Sequence, residues 1–440
     1  MRVSTMTGAV AADGLKEAAC LIPAALARRG NRRAPIGWPP RSAYLHIPFC
    51  HRRCFYCDFP VVPLGDRASA DAGAPGSASI AAYLQLLHRE IVAAPAGQPL
   101  STVYVGGGTP SLLSVEQLRA LLEALRCRYG LAPGAELSLE LDPASFDQER
   151  LAGYLAAGIT RVSLGGQSFS DAVLESLGRR HRCADLLEAA GWLQQAQRGG
   201  RLQSWSLDLI QGLPGQTLSG WQEQLEQAIA LQPPHLSVYD LIVEPGTVFE
   251  RLEQRGALEL PESDLAADLM ELTARRLAEA GYGHYEISNY ALPGHASRHN
   301  RVYWSGAGWW GFGMGATAAP WGVREARPRT REGYAAWLEQ AEPAGPPSAA
   351  SSSPPPETGM PMDERWMVGF RRREGVRLQA PEALRRRWQP FIERGLLIQE
   401  GPRWRLRDPE GLALSNAVLR ELLAWWEEEG SAVAKPPPSP

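Results

Sequence analysis

Six short apolar runs, each parted from the next by a stretch of helical periodicity, constrain the fold of this 440-residue chain more than any other feature. The runs fall at 43–47, 102–106, 137–141, 161–164, 205–210 and 235–241. Helical patterns lie at 80–93, 114–129, 147–157, 171–177 with 184–197, and 219–231. A parallel neighbour is reached only by a crossover long enough to hold a helix, so this alternation implies a parallel sheet with right-handed connections. Pattern alone leaves an open doubly wound sheet and a partial barrel both standing.

Within that sheet two strands carry acids on an otherwise apolar background. In 137–141 the leucines share one face and Glu140 takes the other; in 205–210 the same split isolates Asp208. Strands of a parallel sheet are usually apolar on both faces. Both acids lie toward the carboxyl ends of their strands, where barrel sites form. Gln167, just past the fourth run, has the parity of Ser163 and Gly165. The plainer alternative pairs each carboxylate with a core arginine.

Directly after the first run come Cys50, Cys54 and Cys57, spaced C-x3-C-x2-C within Tyr44-Leu-His-Ile-Pro-Phe-Cys-His-Arg-Arg-Cys-Phe-Tyr-Cys-Asp-Phe59. Three thiolates in one short loop can converge on one inorganic centre. A cube of four irons takes cysteine ligands, and three of them leave one iron open for chemistry. A Cys3His zinc site using His46 or His51 and a set of inert buried thiols are the alternatives. Structural zinc commonly adds a distant second pair, whereas Cys20, Cys127 and Cys183 stand alone. One βα unit later, Tyr104-Val-Gly-Gly-Gly-Thr-Pro110 ends a strand in three glycines. Such a turn lets backbone amides face a ligand, although a simple bend is the commoner use.

Composition excludes several classes. The formal charge of -3 and pI near 6.3 argue against a protein that coats nucleic acid. Lysine occurs only at Lys16 and Lys435, which rules out a phosphate loop of the Walker type and disfavours a Schiff-base lysine. No run reaches the roughly 18–20 apolar residues of a membrane span. The patch at 18–27 has acids before it and Arg28, Arg29 after it, the wrong order for a secretory signal, so a cytoplasmic setting is expected. Residues 1–40 read as a loosely ordered extension, 61–79 as a surface loop, 341–361 as a Pro/Ser-rich linker and 431–440 as a disordered tail.

Further on, after a helix expected at 264–280, stands His299-Asn-Arg-Val-Tyr303-Trp304, followed by a run rich in glycine and tryptophan. A histidine among aromatics can ligate heme iron while the rings cover the macrocycle, but on chemistry alone a satisfied structural histidine is commoner. Helical patterns resume over 362–429, and residues 362–410 hold twelve arginines to eight acids. Either an arginine patch beside Trp388 grips RNA, or, more simply, these are solvated helix faces.

The cysteine spacing with Tyr56 before the third thiol resembles the radical S-adenosylmethionine (SAM) superfamily. The longer string H-I-P-F-C-x3-C-x-Y-C-D-F is similar to its coproporphyrinogen-oxidase-like branch. The resemblance implies a partial (β/α)6 barrel over 41–282 and a segment 283–340 leading into a smaller, mainly helical C-terminal domain at 362–430. It implies a 4Fe-4S cluster on Cys50, Cys54 and Cys57 and SAM bound at the open iron, cleaved to methionine and a 5'-deoxyadenosyl radical. The family's SAM contacts fall on Tyr44, Tyr56, Gly107, Gly108, Thr109, Glu140, Gln167, Arg179 and Asp208, with Arg179 able to meet the cofactor carboxylate. Gly166 departs from the larger apolar residue common in relatives. The string H-N-x-x-Y-W resembles a signature of HemW-type heme chaperones within the branch. That implies heme as cargo with His299 its candidate ligand, an acceptor hemoprotein, an electron donor, a transient contact with a membrane protein, and no stable nucleic acid. The rival within the branch is oxygen-independent coproporphyrinogen III oxidase, whose motif usually adds a fourth cysteine where this chain has Phe59. A radical protein acting on RNA is the remaining alternative.

Overall fold

The computed structural model describes residues 33–34, 39–340 and 359–428; most of the expected extension and linker, and all of the tail, lie outside them. The six expected strands form: β1 Ser42–Ile47, β2 Leu100–Gly107, β3 Leu131–Leu141, β4 Arg161–Gln167, β5 Ser204–Gln211 and β6 His235–Asp240. They stand side by side in chain order, each parallel to the next. Two additions complete a nine-stranded sheet. An antiparallel hairpin, β7 Gly283–Glu286 and β8 Asn289–Ala291, extends the β6 edge. At the other edge β9 Trp310–Phe312 lies parallel to β1. These are too short, and the last too rich in glycine, to announce themselves by period.

The polarity of the sheet divides along its whole length. One face is apolar: Ala43, Leu45, Val103, Val105, Leu137, Leu139, Val162, Leu164, Trp205 and Leu207 are all buried in one core. Helices α1 Ser77–Ala93, α2 Val115–Tyr129, α3 Gln148–Ala156, α4 Cys183–Arg198 and α5 Leu218–Ala230 cover it. Their starts are written in the sequence. Ser114 and Gln117 form a reciprocal capping box, and Asp147 and Thr217 each accept from the first turn of their helix. Leu118, Leu121 and Leu125 of α2 then bury one stripe, about 2 kcal/mol for each side chain.

The opposite face is polar. At one level across neighbouring strands stand Tyr44, Tyr104, Ser138, Arg161 and Ser204; one step up, Glu140, Ser163, Ser206 and His235; above them Asp208 and Ser237. Many closed barrels fill this space with branched apolar side chains, but here the concave face is a hydrogen-bonding lumen. Glu140 and Asp208 are thus two of many, not two exceptions. Gly166 has its explanation on the covered side: a Cβ there would meet Leu207 at 2.8 Å and Leu186 at 3.0 Å.

Past α6 Ser263–Glu279 and α7 Arg298–Ser305 the chain builds a second apolar cluster around Phe370, Leu384, Trp388, Trp404, Leu422 and Trp425. It is held by α8 Met362–Phe370, α9 Glu382–Glu393 and α10 Ser415–Glu428 with a small antiparallel sheet, β10 Val376–Arg377, β11 Leu397–Glu400 and β12 Arg403–Leu406. The domain is mainly helical as expected, and the small sheet is an addition that the sequence reading did not include. The RNA reading loses its base: Trp388 is fully buried, its indole N–H donating to Val418 O at 3.2 Å, so no base can stack on it. Arg387 is spent on Glu421 and Glu428, Arg405 on Glu400, and Arg371 on Ser415 and Asn416.

Candidate functional site

The cysteine loop is pinned at the carboxyl end of β1. Leu64 N donates to Cys50 O at 2.9 Å, Cys57 N to Cys54 O at 3.2 Å, and Phe55 N to Leu177 O at 3.0 Å, so the backbone of the cysteine loop is held in place. Burial pushes Cys50 up to about 12 despite a hydrogen bond from Thr109, and Cys57 up to about 11 despite one from the backbone of Phe59. Such thiols are poor nucleophiles and become thiolates on binding metal. The zinc alternative is poorly served. His46 gives both ring nitrogens away, Nδ1 to Tyr44 OH at 2.9 Å and Nε2 to Pro60 O at 3.1 Å, and His51 Nε2 bonds Ala68 O. Among the described residues no three His, Cys, Asp or Glu groups converge on a single ion. A cube asks less convergence, since each thiolate takes its own iron.

The glycines at the end of β2, Gly107 and Gly108, let this loop close onto the sheet. A Cβ on Gly108 would stand 2.7 Å from Cys50 Sγ and from Phe49 O, and one on Gly107 would stand 2.7 Å from His46 Nδ1. Their amides are not free: Gly107 N donates to Glu140 Oε2 at 2.9 Å, Gly108 N to Ile47 O at 2.8 Å and Thr109 N to Phe49 O at 2.7 Å. The expected amide cradle is therefore spent internally. An ammonium group needs acceptors, which leaves it the carbonyls of this strand end.

Around the mouth the other expected residues gather. Arg179, with 12% of its side chain exposed, donates through Nη2 to Asp142 Oδ2 at 2.7 Å and to Gly165 O at 2.9 Å, and its Nη1 lies 3.6 Å from Cys54 Sγ. Its Nε is buried without a partner. Burial works to raise Asp142, but Arg179 and His181 outweigh it and hold the carboxyl far below its ordinary value. Asp142 escaped the sequence reading; its position directly after β3 was the available signal. Gln167 sits at φ 60° on a bulge that keeps its amide beside Gly165, and its Oε1 is buried and unpaired. Tyr56 packs on Phe249 at 6.5 Å.

Below the mouth, burial pushes Glu140 up to about 7, against hydrogen bonds from Gly107 and Tyr104 and with Asp208 adding to the rise. Asp208 is raised by burial too, although Ser163 and Ser206 both donate to it at 2.7 Å. Tyr44 stacks on Tyr104 at 6.2 Å. The unpaired Arg179 Nε and Gln167 Oε1, with these carboxylates, offer donors and acceptors to a polar ligand beside three cysteines, which fits SAM and a cluster held together.

His299 stands apart, at the opposite end of the sheet. Helix α7, capped by Ser297, lays it against the start of β2 and the middle of β3, where its backbone N donates to Glu136 Oε1 at 3.0 Å. Both ring nitrogens are engaged, Nδ1 with Thr102 Oγ1 and Nε2 with Tyr303 OH, each at 2.8 Å, and the ring stacks on Tyr104 at 5.2 Å. Burial lowers its pKa to about 3. The ring is satisfied as it stands, and iron would reach Nε2 only after the Tyr303 bond opens. Tyr104 links the two ends of the lumen, its hydroxyl bonding Glu140 above and its ring stacking on His299 below.

Comparison with known proteins agrees with this architecture. The Radical SAM superfamily profile matches residues 44–228. The heme chaperone HemW of Synechocystis is 41% identical over 415 residues, spanning 89% of this chain and 98% of that protein. HemW of Escherichia coli is 40% identical over 281 residues, 63% of this chain and 70% of the relative. Among solved structures, the coproporphyrinogen III oxidase HemN of Escherichia coli shares the fold with a TM-score of 0.68 over 88% of this chain and 91% of that one, at 21% identity. The fold, the matched domain and the full-length likeness together place this chain in the HemW heme chaperone family of the radical SAM superfamily.

Proposed function

We propose that this protein is a heme carrier: it holds a 4Fe-4S cluster on Cys50, Cys54 and Cys57, binds SAM at the mouth of the lumen, and delivers heme to an acceptor hemoprotein. The likeness to HemW over nearly the full length of the Synechocystis relative carries the reading. When bound, the cluster supplies an electron to SAM and an open iron to anchor it. The chain's own part is placement. Arg179 is positioned to receive a carboxylate with Asp142 fixing its plane, Glu140 and Asp208 to accept hydroxyl or amino hydrogens, and Gln167 to use its unpaired oxygen. Heme is assigned to the α7 segment with His299 as the ligand through Nε2, in exchange for the Tyr303 bond. The buried clustered thiols suit a reducing, cytoplasmic setting and an electron donor found there. No described helix is long and apolar enough to cross a membrane, so contact with a membrane-bound acceptor would be made from outside the bilayer.

The test is an anaerobic absorbance titration of the cluster-reconstituted protein with heme, beside His299→Ala. Saturation near one heme per chain, at least about tenfold weaker in the variant while the cluster spectrum persists, supports both the cargo and its ligand. Binding of equal strength in the two proteins removes His299 from the role. Absence of saturable binding removes the carrier reading.

A further inference from the structure

The C-terminal body brings three arginines near the outer face of α7, where a fourth already stands. Arg301 leaves α7 and pairs with Glu374, Nη2 to Oε1 at 2.7 Å. Arg403 reaches the same turn, its Nη1 donating to Glu374 O at 3.1 Å and Gly375 O at 3.5 Å, and Arg372 Nη2 donates to Gly375 O at 3.4 Å. Arg365 runs along the end of α7, its Cγ 3.9 Å from where a Cβ on Gly306 would lie. Arg301 alone pairs with the Glu374 carboxylate while Arg372 and Arg403 turn to backbone carbonyls of the same turn, and the side chains of Arg301 and Glu374 are 49% and 44% exposed, open to a ligand.

Arg372 lies at the centre. The charges of Arg301, Arg403 and Arg365 all bear on it, and its Nε is buried without a partner. Its backbone is fixed by a bridge to Glu286, whose carboxylate accepts from Trp304 of α7. Gathering four like charges around one turn with a single ion pair among them is costly unless an anion completes the site, and guanidinium matches carboxylate in a two-point contact. The aromatic flank from Trp304 suits a flat ligand edge.

We propose that Arg301, Arg365, Arg372 and Arg403 form an anion site for a ligand bearing two carboxylates on one flat ring system, and that in this chain it clamps the two propionates of heme. Glu374 is the internal carboxylate that holds Arg301 in place and yields to the ligand. This rests on heme being the cargo, and it adds a second anchor beside α7.

The experiment compares heme with its dimethyl ester, whose propionates are blocked, in anaerobic titrations of the full cluster-loaded chain. Wild type should bind the ester at least about tenfold more weakly than heme. Arg372→Gln should weaken heme by about tenfold while leaving the ester unchanged, closing the gap. The more exposed Arg301→Gln should do the same in smaller measure, and Glu374→Gln should tighten heme alone. Retained cluster absorbance and SAM binding show that the variants are folded. Heme and ester binding alike, with no response to either arginine variant, overturns the clamp and leaves the carrier reading intact. No saturable heme binding by wild type overturns both.

Discussion

His299 is tied down more firmly than a waiting ligand needs to be. Replacing it with alanine strands the hydroxyls of Thr102 and Tyr303 in the core, and we expect a loss of about 3 kcal/mol in denaturant titration. Tyr303→Phe separates structure from ligation: it frees Nε2, so heme affinity should rise, by about fivefold, if that nitrogen meets iron. An unchanged or lower affinity argues against the assignment. Glu140 gives a pH signature. Its carboxyl titrates at about 7 in the folded chain against an ordinary 4.5, so between these values the folded state holds a proton that the unfolded state has lost. Stability should therefore fall as pH rises from 4.5 to 7, by up to about 3 kcal/mol, and Glu140→Gln should flatten that slope. A slope that survives the substitution assigns the proton elsewhere. The cysteines, Glu140 and Asp208 were legible because thiols at tight spacing and acids on apolar strands are rare. Asp142 and the Tyr303 bond were not, because both depend on which loops meet.

At the scale of elements, the glycine turn after β2 is a fitting surface for the cysteine loop. Gly108→Ala would drive a methyl into Cys50 Sγ and Phe49 O, and iron content after reconstitution should fall severalfold while far-UV dichroism is kept. Full iron loading would show that the loop can retreat without cost. The cap of α7 is the companion case. Ser297→Ala removes the acceptor of Asn300 N, about 1 kcal/mol, and should raise amide exchange over α7 before it affects the cluster. Strand and helix positions over 43–241 were readable because period and caps are local. The polar lumen was half-read from two acids, although serine, tyrosine and histidine alternate the same way in all six strands. The hairpin, β9 and the small C-terminal sheet escaped because strands of two to four residues carry too little period to stand out.

For the molecule as a whole, the turn of the β7–β8 hairpin joins the two apolar clusters. Ile287 packs into the second cluster while its N donates to Arg371 O at 2.9 Å; Arg373 N donates to Tyr285 O, and His284 meets Asp408 at 2.6 Å. On the lumen side Tyr285 OH bonds His235 and accepts from Ser297 N, the cap of α7. The lumen, the α7 segment and the C-terminal body thus meet at one hairpin, which gives the proposed cofactor site above a physical route to the proposed heme ligand below. On the proposed function this chain carries heme and hands it on. The most direct test mixes the heme-loaded, cluster-bearing protein with an excess of an apo-hemoprotein under anaerobic conditions and follows the Soret band with and without SAM. Transfer to the acceptor, faster than from free heme or dependent on SAM, is the predicted result. Heme that stays on the protein, or consumption of coproporphyrinogen by the same preparation, would contradict heme delivery by this chain.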